Sequence, residues 1–324
     1  MEKESLLSHY LRNIPILKVL KMESTIELID LTKYYGKHLG IEDLSLRINP
    51  GIISGFLGPN GAGKTTTIRC LLGILKPTRG QVKVFGHKIT NWSTQITLKE
   101  KIGYLPGEFD LYKHFTVKGI LDYFASLRKR PAKLRNTLID TFELDETRNV
   151  NQLSKGNKQK VGLIQALMHD PDLLILDEPS VGLDPLMQQR LYNVLKEFRD
   201  RGKTIFFSSH NLAEVQKICD EVAIIKEGFL VSQDHIDHLT QRVQQRVILT
   251  MEEPIDSILT QLPLISHFEK IQSNGNGHRY SIFLKSAQLN FSDLFQSLGR
   301  QTIQNVVIPE PSLEDYFLQY YKED

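Results

Sequence analysis

Gly58-Pro59-Asn60-Gly61-Ala62-Gly63-Lys64-Thr65 follows the apolar run Ile52-Ile53-Ser54-Gly55-Phe56-Leu57 and precedes a helix-compatible stretch that continues to about Leu75, where Lys76-Pro77-Thr78 ends it. The octapeptide has the form GxxxxGK[ST] between a strand and a helix, the setting in which backbone N–H groups can wrap phosphates. Glycines permit the close approach and the unusual backbone angles this requires. Lys64 is the candidate bridge to the β- and γ-phosphates, and the Thr65 hydroxyl is suited to an octahedral Mg²⁺ shell. Gly58, Pro59, Asn60, Gly61, Ala62, Gly63, Lys64, Thr65 and Thr66 are therefore the candidate nucleotide-binding residues.

Such a loop is shared by kinases, GTPases, helicases and transport ATPases, so other residues must choose among them. Neither an NKxD base-reading motif nor a DxxG switch motif occurs; Asn157-Lys158-Gln159-Lys160 lacks the aspartate. Leu173-Leu174-Ile175-Leu176 reads as a strand covered on both faces, and it ends in the adjacent acids Asp177-Glu178. Beside a phosphate-binding loop, Asp177 suits the Mg²⁺ shell and Glu178 suits polarising the attacking water.

Outward from this centre, short strands are expected at Thr25–Ile29, Leu44–Ile48 and Gly51–Leu57, separated by Tyr35-Gly36-Lys37 and Asn49-Pro50-Gly51. Residues 111–144 have helical spacing and form a helical insertion, with further helices at Asn157–His169, about Pro185–Arg201 and 211–219. Thr204–Phe207 reads as a buried strand, and Glu221–Val231 as a hairpin turning at Glu227-Gly228. Beyond Asp234 the pattern shifts to alternating stretches, Arg246–Thr250 and Tyr280–Leu284, linked by polar turns such as Asn274-Gly275-Asn276-Gly277. The expected organisation is an N-terminal extension at 1–21, an α/β nucleotide-binding domain at 22–235 with its helical subdomain at about 108–160, and a small α+β domain at 240–324.

Composition narrows the partners. The chain of 324 residues carries 40 Lys and Arg against 38 Asp and Glu, a net +2 that does not suggest a dedicated nucleic-acid binder. Its two cysteines, Cys70 and Cys219, are far apart and outside any CxxC, which indicates neither a disulfide framework nor a zinc site. No run of about 18 apolar residues occurs, so a membrane-spanning function would need another polypeptide. The start, with Glu2-Lys3-Glu4 at its head, is read as an extension and not as an export signal.

The family resemblance rests on Leu153-Ser154-Lys155-Gly156-Asn157-Lys158-Gln159-Lys160, which is similar to the signature motif of ATP-binding cassette (ABC) proteins and stands about 20 residues before the paired acids. In that family, Ser154 and Gly156 would contact the γ-phosphate held by the P-loop of a second subunit, with Lys155 beside them. Ser180-Val181-Gly182-Leu183-Asp184 resembles the D-loop, His210 the switch histidine, and Tyr35, 29 residues before Lys64, the aromatic residue that stacks on adenine. Two departures stand out. Gly107 occupies the place where the family commonly has Gln, leaving Glu108 as the candidate oxygen donor to Mg²⁺, and Lys155 replaces the more frequent glycine of the signature. The tail Pro311-Ser312-Leu313-Glu314-Asp315-Tyr316-Phe317 is similar to the terminal motif of drug- and antibiotic-exporting ABC subunits.

The resemblance covers about residues 25–232 and implies a P-loop ABC cassette using ATP and Mg²⁺. It implies an ATPase, with Glu178 and His210 catalytic, that dimerises with a second ATPase subunit and energises export through a separate transmembrane permease at the cytoplasmic face of the membrane. The alternatives are an importer subunit, since the cassette does not encode direction, and a soluble ABC ATPase acting on ribosomes or DNA. Against the latter stand the single cassette and the separation of only about 90 residues between Lys64 and Ser154.

Overall fold

The computed structural model describes residues 23–89, 92–241, 243, 245–271, 277–285, 291–299, 301–310 and 312–316. The extension at 1–21, the turn residues 274–276, and Pro311 and Phe317 of the tail motif lie outside the described residues. The chain divides into two compact units. One comprises the described residues up to Asn211 together with Ile218–Gln233, and the other Leu212–Lys217 together with the residues from Asp234 onward.

In the first unit, β1 (Ile26–Tyr35) and β2 (His38–Ile48) form an antiparallel hairpin. Both are longer than the sequence pattern suggests, because bulges interrupt the alternation that marks a strand. β3 (Ile53–Leu57) leads into α1 (Lys64–Leu71). That helix ends four residues before the expected Leu75, where Gly73 takes a left-handed φ of 66°. β4 (Arg79–Val84) pairs with β1, and β5 (His87–Lys88) completes an outer four-stranded sheet in the order β2-β1-β4-β5.

After α2 (Trp92–Lys99) and β6 (Ile102–Leu105), the helical insertion consists of two short helices. These are α3 (Val117–Ser126) and α4 (Arg135–Thr141). Thr116 caps α3 by accepting the Gly119 N–H, and Pro131 lies in the break between the two. Then come α5 (Lys155–Leu167), β7 (Leu173–Asp177), α6 (Pro185–Asp200), β8 (Thr204–Ser209), α7 (Leu212–Ile218), β9 (Glu221–Lys226) and β10 (Phe229–His235).

The inner sheet has the order β10-β9-β3-β8-β7-β6, with β9, β3, β8, β7 and β6 parallel. Every residue of β3, β7 and β8 is buried, as expected of central strands covered on both faces. Ile26, Leu28, Ile41, Phe56, Ile68 and Phe206 are among the residues of one apolar core that joins the two sheets.

The second unit takes in Leu212–Lys217 of α7, which the sequence pattern assigns to the nucleotide-binding stretch; the Leu313 N–H donates to Gln216 Oε1 on that helix at 3.0 Å. It continues with α8 (Ile236–Gln241), β11 (Arg246–Met251), α9 (Asp256–Gln261), β12 (Ile265–Ile271), β13 (His278–Leu284), α10 (Phe291–Leu298) and β14 (Ile303–Val307). From β11 to β14 the order along the chain is βαββαβ, and the antiparallel sheet runs β12-β13-β11-β14, a split-βαβ arrangement. Val247, Leu249, Met251, Tyr280, Ile282 and Leu294 lie in its own core.

Candidate functional site

Parallel register brings the chemistry to one edge. Leu57 of β3 pairs with Ser209 of β8, and Ser208 of β8 pairs with Asp177 of β7. The loops leaving these three adjacent strands therefore start side by side: the phosphate-binding loop after β3, Glu178 after β7, and His210 after β8. This is the usual location of ligands in open parallel sheets. The result is a cleft of about 310 Å³ lined by Tyr35, Pro59–Gly61, Gly63–Thr66 and Glu178, among others.

Lys64 is only 6% exposed, so its ammonium needs partners. Nζ donates to the Gly58 carbonyl at 2.6 Å and the Pro59 carbonyl at 3.2 Å, and faces Glu178 Oε1 at 3.3 Å. Gly63 caps the helix with φ 107°, and a Cβ there would lie 2.7 Å from the Gly40 carbonyl oxygen, so both conformation and space require glycine.

The neighbouring carboxylates have different surroundings. Asp177 is buried, and both its oxygens accept hydrogen bonds, Oδ2 from the Thr65 hydroxyl at 2.8 Å and Oδ1 from the Ser208 hydroxyl at 2.5 Å. Glu178 has a left-handed φ of 51°, a strained value for a non-glycine residue. Its Oε2 lies 2.9 Å from His210 Nδ1, while Oε1 makes no hydrogen bond and has Lys64 as its ionic neighbour. Burial pushes the Tyr104 phenol up to about 12, and the charge of Asp177 adds to the shift, so this ring is neutral beside the carboxylate at physiological pH.

Tyr35 is exposed, with its hydroxyl 3.3 Å from Thr66 Oγ1 and the Lys33 ammonium 5.5 Å from its ring centre. The ring therefore offers a partly open face at the rim of the cleft, where a base can stack.

The signature-like residues are not in this cleft. Ser154 caps α5 by accepting the Asn157 N–H at 3.3 Å, and Ser154 and Lys155 are exposed. A Cβ on Gly156 would fall 2.5 Å from the Gly182 carbonyl oxygen, so α5 rests directly on the D-loop-like segment. Gln159, buried one turn on, donates to the Pro179 carbonyl at 3.0 Å and ties the same helix to the residues after Glu178. Asp184 caps α6 through the Met187 N–H at 2.9 Å, with Pro185 at the first helical position.

Among the described residues no hydrogen bond or ion pair includes Glu108, which is exposed. Gly107 approaches the centre more closely, since a Cβ there would lie 3.2 Å from Asp177 Oδ2. A larger residue at 107 would press on the Asp177 carboxylate, which would have to give by a few tenths of an ångström. Ser208 is the site residue that the motifs miss. It lies inside an apolar strand pattern, and only the pairing with Asp177 brings it to the carboxylates.

The donor set fits a metal-bound nucleotide: the Thr65 hydroxyl and the Asp177 carboxylate are hard oxygen ligands 2.8 Å apart, next to a lysine and a loop of backbone amides. Fold and site together define a P-loop nucleotide-binding protein. Residues 41–181 match the family model for ABC transporters. The bacitracin transport ATP-binding protein BcrA of Bacillus licheniformis is 35% identical over 311 residues, covering 92% of this chain and 97% of that protein. The protein of the same name from Enterococcus faecalis is 33% identical over 310 residues, covering 91% and 96%. A solved ATP-binding subunit of an ABC transporter superposes with a TM-score of 0.62 at 28% identity, covering 68% of this chain and 93% of its own. The chain belongs to the ABC transporter family, as an ATP-binding subunit and an ATPase.

Proposed function

We propose that this ATPase subunit drives export through a separate membrane-spanning permease, working as a dimer of ATPase subunits at the cytoplasmic face of the membrane. The observation that carries the proposal is that Lys64, Thr65 and Glu178 line one cleft with Tyr35, with Asp177 bonded to Thr65 and His210 to Glu178. Tyr35 stacks on the adenine, and the loop amides with Lys64 hold the phosphates. Asp177 and Thr65 would hold Mg²⁺, which would supply charge neutralisation to the phosphates. Glu108, the further oxygen ligand read from the sequence, is exposed and hydrogen-bonded to nothing among the described residues.

The surroundings of the two carboxylates support a division of labour. Both oxygens of Asp177 are committed to hydroxyl groups, whereas Glu178 Oε1 has no hydrogen bond and remains an acceptor. Glu178 takes the proton as water attacks the γ-phosphorus and the bond to ADP breaks; His210, on Oε2, holds the carboxylate in place.

The exposed Ser154 and Lys155 at the start of α5 support a head-to-tail dimer, in which this helix N-terminus meets the phosphates held by a second copy. Transfer of motion to the permease is supported by an apolar groove of about 400 Å³ beside the helical insertion, lined by Leu72, Ile74, Phe109, Leu111 and Phe124 among others. Tyr112, Tyr123 and Leu127 are exposed on the insertion itself. No helix among the described residues is long and apolar enough to cross a membrane.

The direction of transport rests on the tail motif and on the bacitracin transport relatives, which make bacitracin the first cargo to test. The test is purification of the tagged chain from gently solubilised membranes. Stoichiometric recovery of a multi-span protein, and bacitracin resistance lost when Lys64 is replaced, is the expected result. Recovery with ribosomes, nucleic acid or no partner overturns it.

A further inference from the structure

β8 runs between the strand that ends in the phosphate-binding loop and the strand that ends in the paired acids. Its Ser208 is completely buried, and its one hydroxyl is used in both senses. Oγ donates to Asp177 Oδ1 at 2.5 Å and accepts the Glu178 N–H at 3.1 Å. A serine hydroxyl has one proton and two lone pairs, so a single group serves one carboxylate by its side chain and the next by its backbone. The Glu178 N–H also reaches the Ser208 carbonyl at 3.2 Å, so both oxygens of this residue converge on the amide of Glu178, whose φ is the strained 51°.

We propose that Ser208 is a positioning residue for ATP hydrolysis, setting the orientation of Asp177 toward Mg²⁺ and of Glu178 toward the attacking water through the same hydroxyl. The proposal rests on the roles given above to Asp177 and Glu178. Ser208 is completely buried and acts through Asp177 and Glu178. It fixes the relative placement of two groups that must do different things within one active site.

A hydroxyl that serves packing alone would influence thermal stability and leave the metal requirement untouched. The discriminating measurements, on the full chain, are therefore kcat, KM for ATP, and the Mg²⁺ concentration that half-saturates binding of a fluorescent ATP analogue. Removing a group that orients a metal ligand typically weakens metal affinity or activity by about 10- to 100-fold. In Ser208→Ala, kcat should fall by about tenfold or more and the Mg²⁺ half-point should rise by a comparable factor, with KM for ATP little changed. Ser208→Thr, which keeps the hydroxyl, should restore both. Hydrolysis and Mg²⁺ half-point unchanged in Ser208→Ala, or Ser208→Thr no better than Ser208→Ala, overturns the proposal.

If Ser208→Ala does not fold, Ser208→Cys is compared with Ser208→Thr. An impaired cysteine variant beside an active threonine variant supports the inference, and equal activity overturns it. Glu178→Gln is run in parallel. If it hydrolyses ATP at the original rate, the role of Glu178 fails, and the Mg²⁺ half-point, which reports on Asp177, still decides the role of Ser208.

Discussion

The nucleotide cleft and the N-terminus of α5 differ in how completely this chain satisfies them. In the cleft, Lys64 is 6% exposed and has three oxygen partners, and Asp177 is fully hydrogen-bonded. At α5, Ser154 and Lys155 are exposed, and the serine does no more than cap its own helix. Buried charge demands partners from the same fold, while an exposed helix N-terminus keeps spare N–H groups and a partial positive charge for an anion. In the proposed dimer, one chain would therefore build the phosphate-gripping half of a site in full and present the other half outward.

The largest effects should come from the cleft. Glu178→Gln is expected to lower kcat by about 100-fold or more while ATP binding survives, measured by steady-state hydrolysis and nucleotide binding. Lys64→Ala should abolish both, because the variant loses the buried cation that holds the phosphates. The comparison itself can be broken by mixing. Ser154→Ala and Lys64→Ala should each be inactive alone, and mixed together they should recover part of the hydrolysis, since one intact P-loop then faces one intact signature. No recovery on mixing, with both variants folded, would place the whole site within one chain. Ser154→Ala alone should also lose about 1 kcal/mol of stability as a lost helix cap, which denaturant unfolding would report.

Smaller effects sharpen the contrast. Tyr35→Ala should weaken ATP binding by about threefold to tenfold, the size of a stacking contact, without a change in kcat. Gly156→Ala forces a methyl to 2.5 Å from the Gly182 carbonyl and should destabilise the chain by about 1–3 kcal/mol, as insertion into tight packing does.

The smallest effect concerns His169, just beyond the buried end of α5. Nδ1 lies 2.6 Å from the Arg130 carbonyl oxygen, and burial holds the imidazole below its ordinary range. A folded-state value below the unfolded one means that the unfolded chain binds more protons, so stability is lost as pH falls below about 6.5. The drop in Tm between pH 7 and pH 5 should be smaller in His169→Gln.

Much of the site was legible in the sequence because phosphate chemistry constrains adjacent residues. Gly58–Thr65 and Asp177-Glu178, which the fold brings to one cleft, are local patterns whose spacing along the chain is itself the signal. Residues that reach the site across strands carry no such signal. Ser208 lies in Thr204–Ser209 beside Phe206 and Phe207, and nothing near it in sequence marks it as the partner of Asp177, 31 residues away. Gly107 reads as a missing ligand, yet its lack of a side chain leaves room 3.2 Å from Asp177 Oδ2.

Short-range patterns in the sequence were enough for the α/β cassette fold and for candidates for its P-loop, paired acids, signature and switch histidine. Each of these depends on short-range patterns of polarity, glycine and charge. The tertiary structure alone decided the βαββαβ pairing of the second unit, its inclusion of Leu212–Lys217 of α7, and the hydrogen-bonding of Asp177 and Glu178 through Ser208. Those depend on strand order and register, which place residues far apart in the chain within hydrogen-bonding distance.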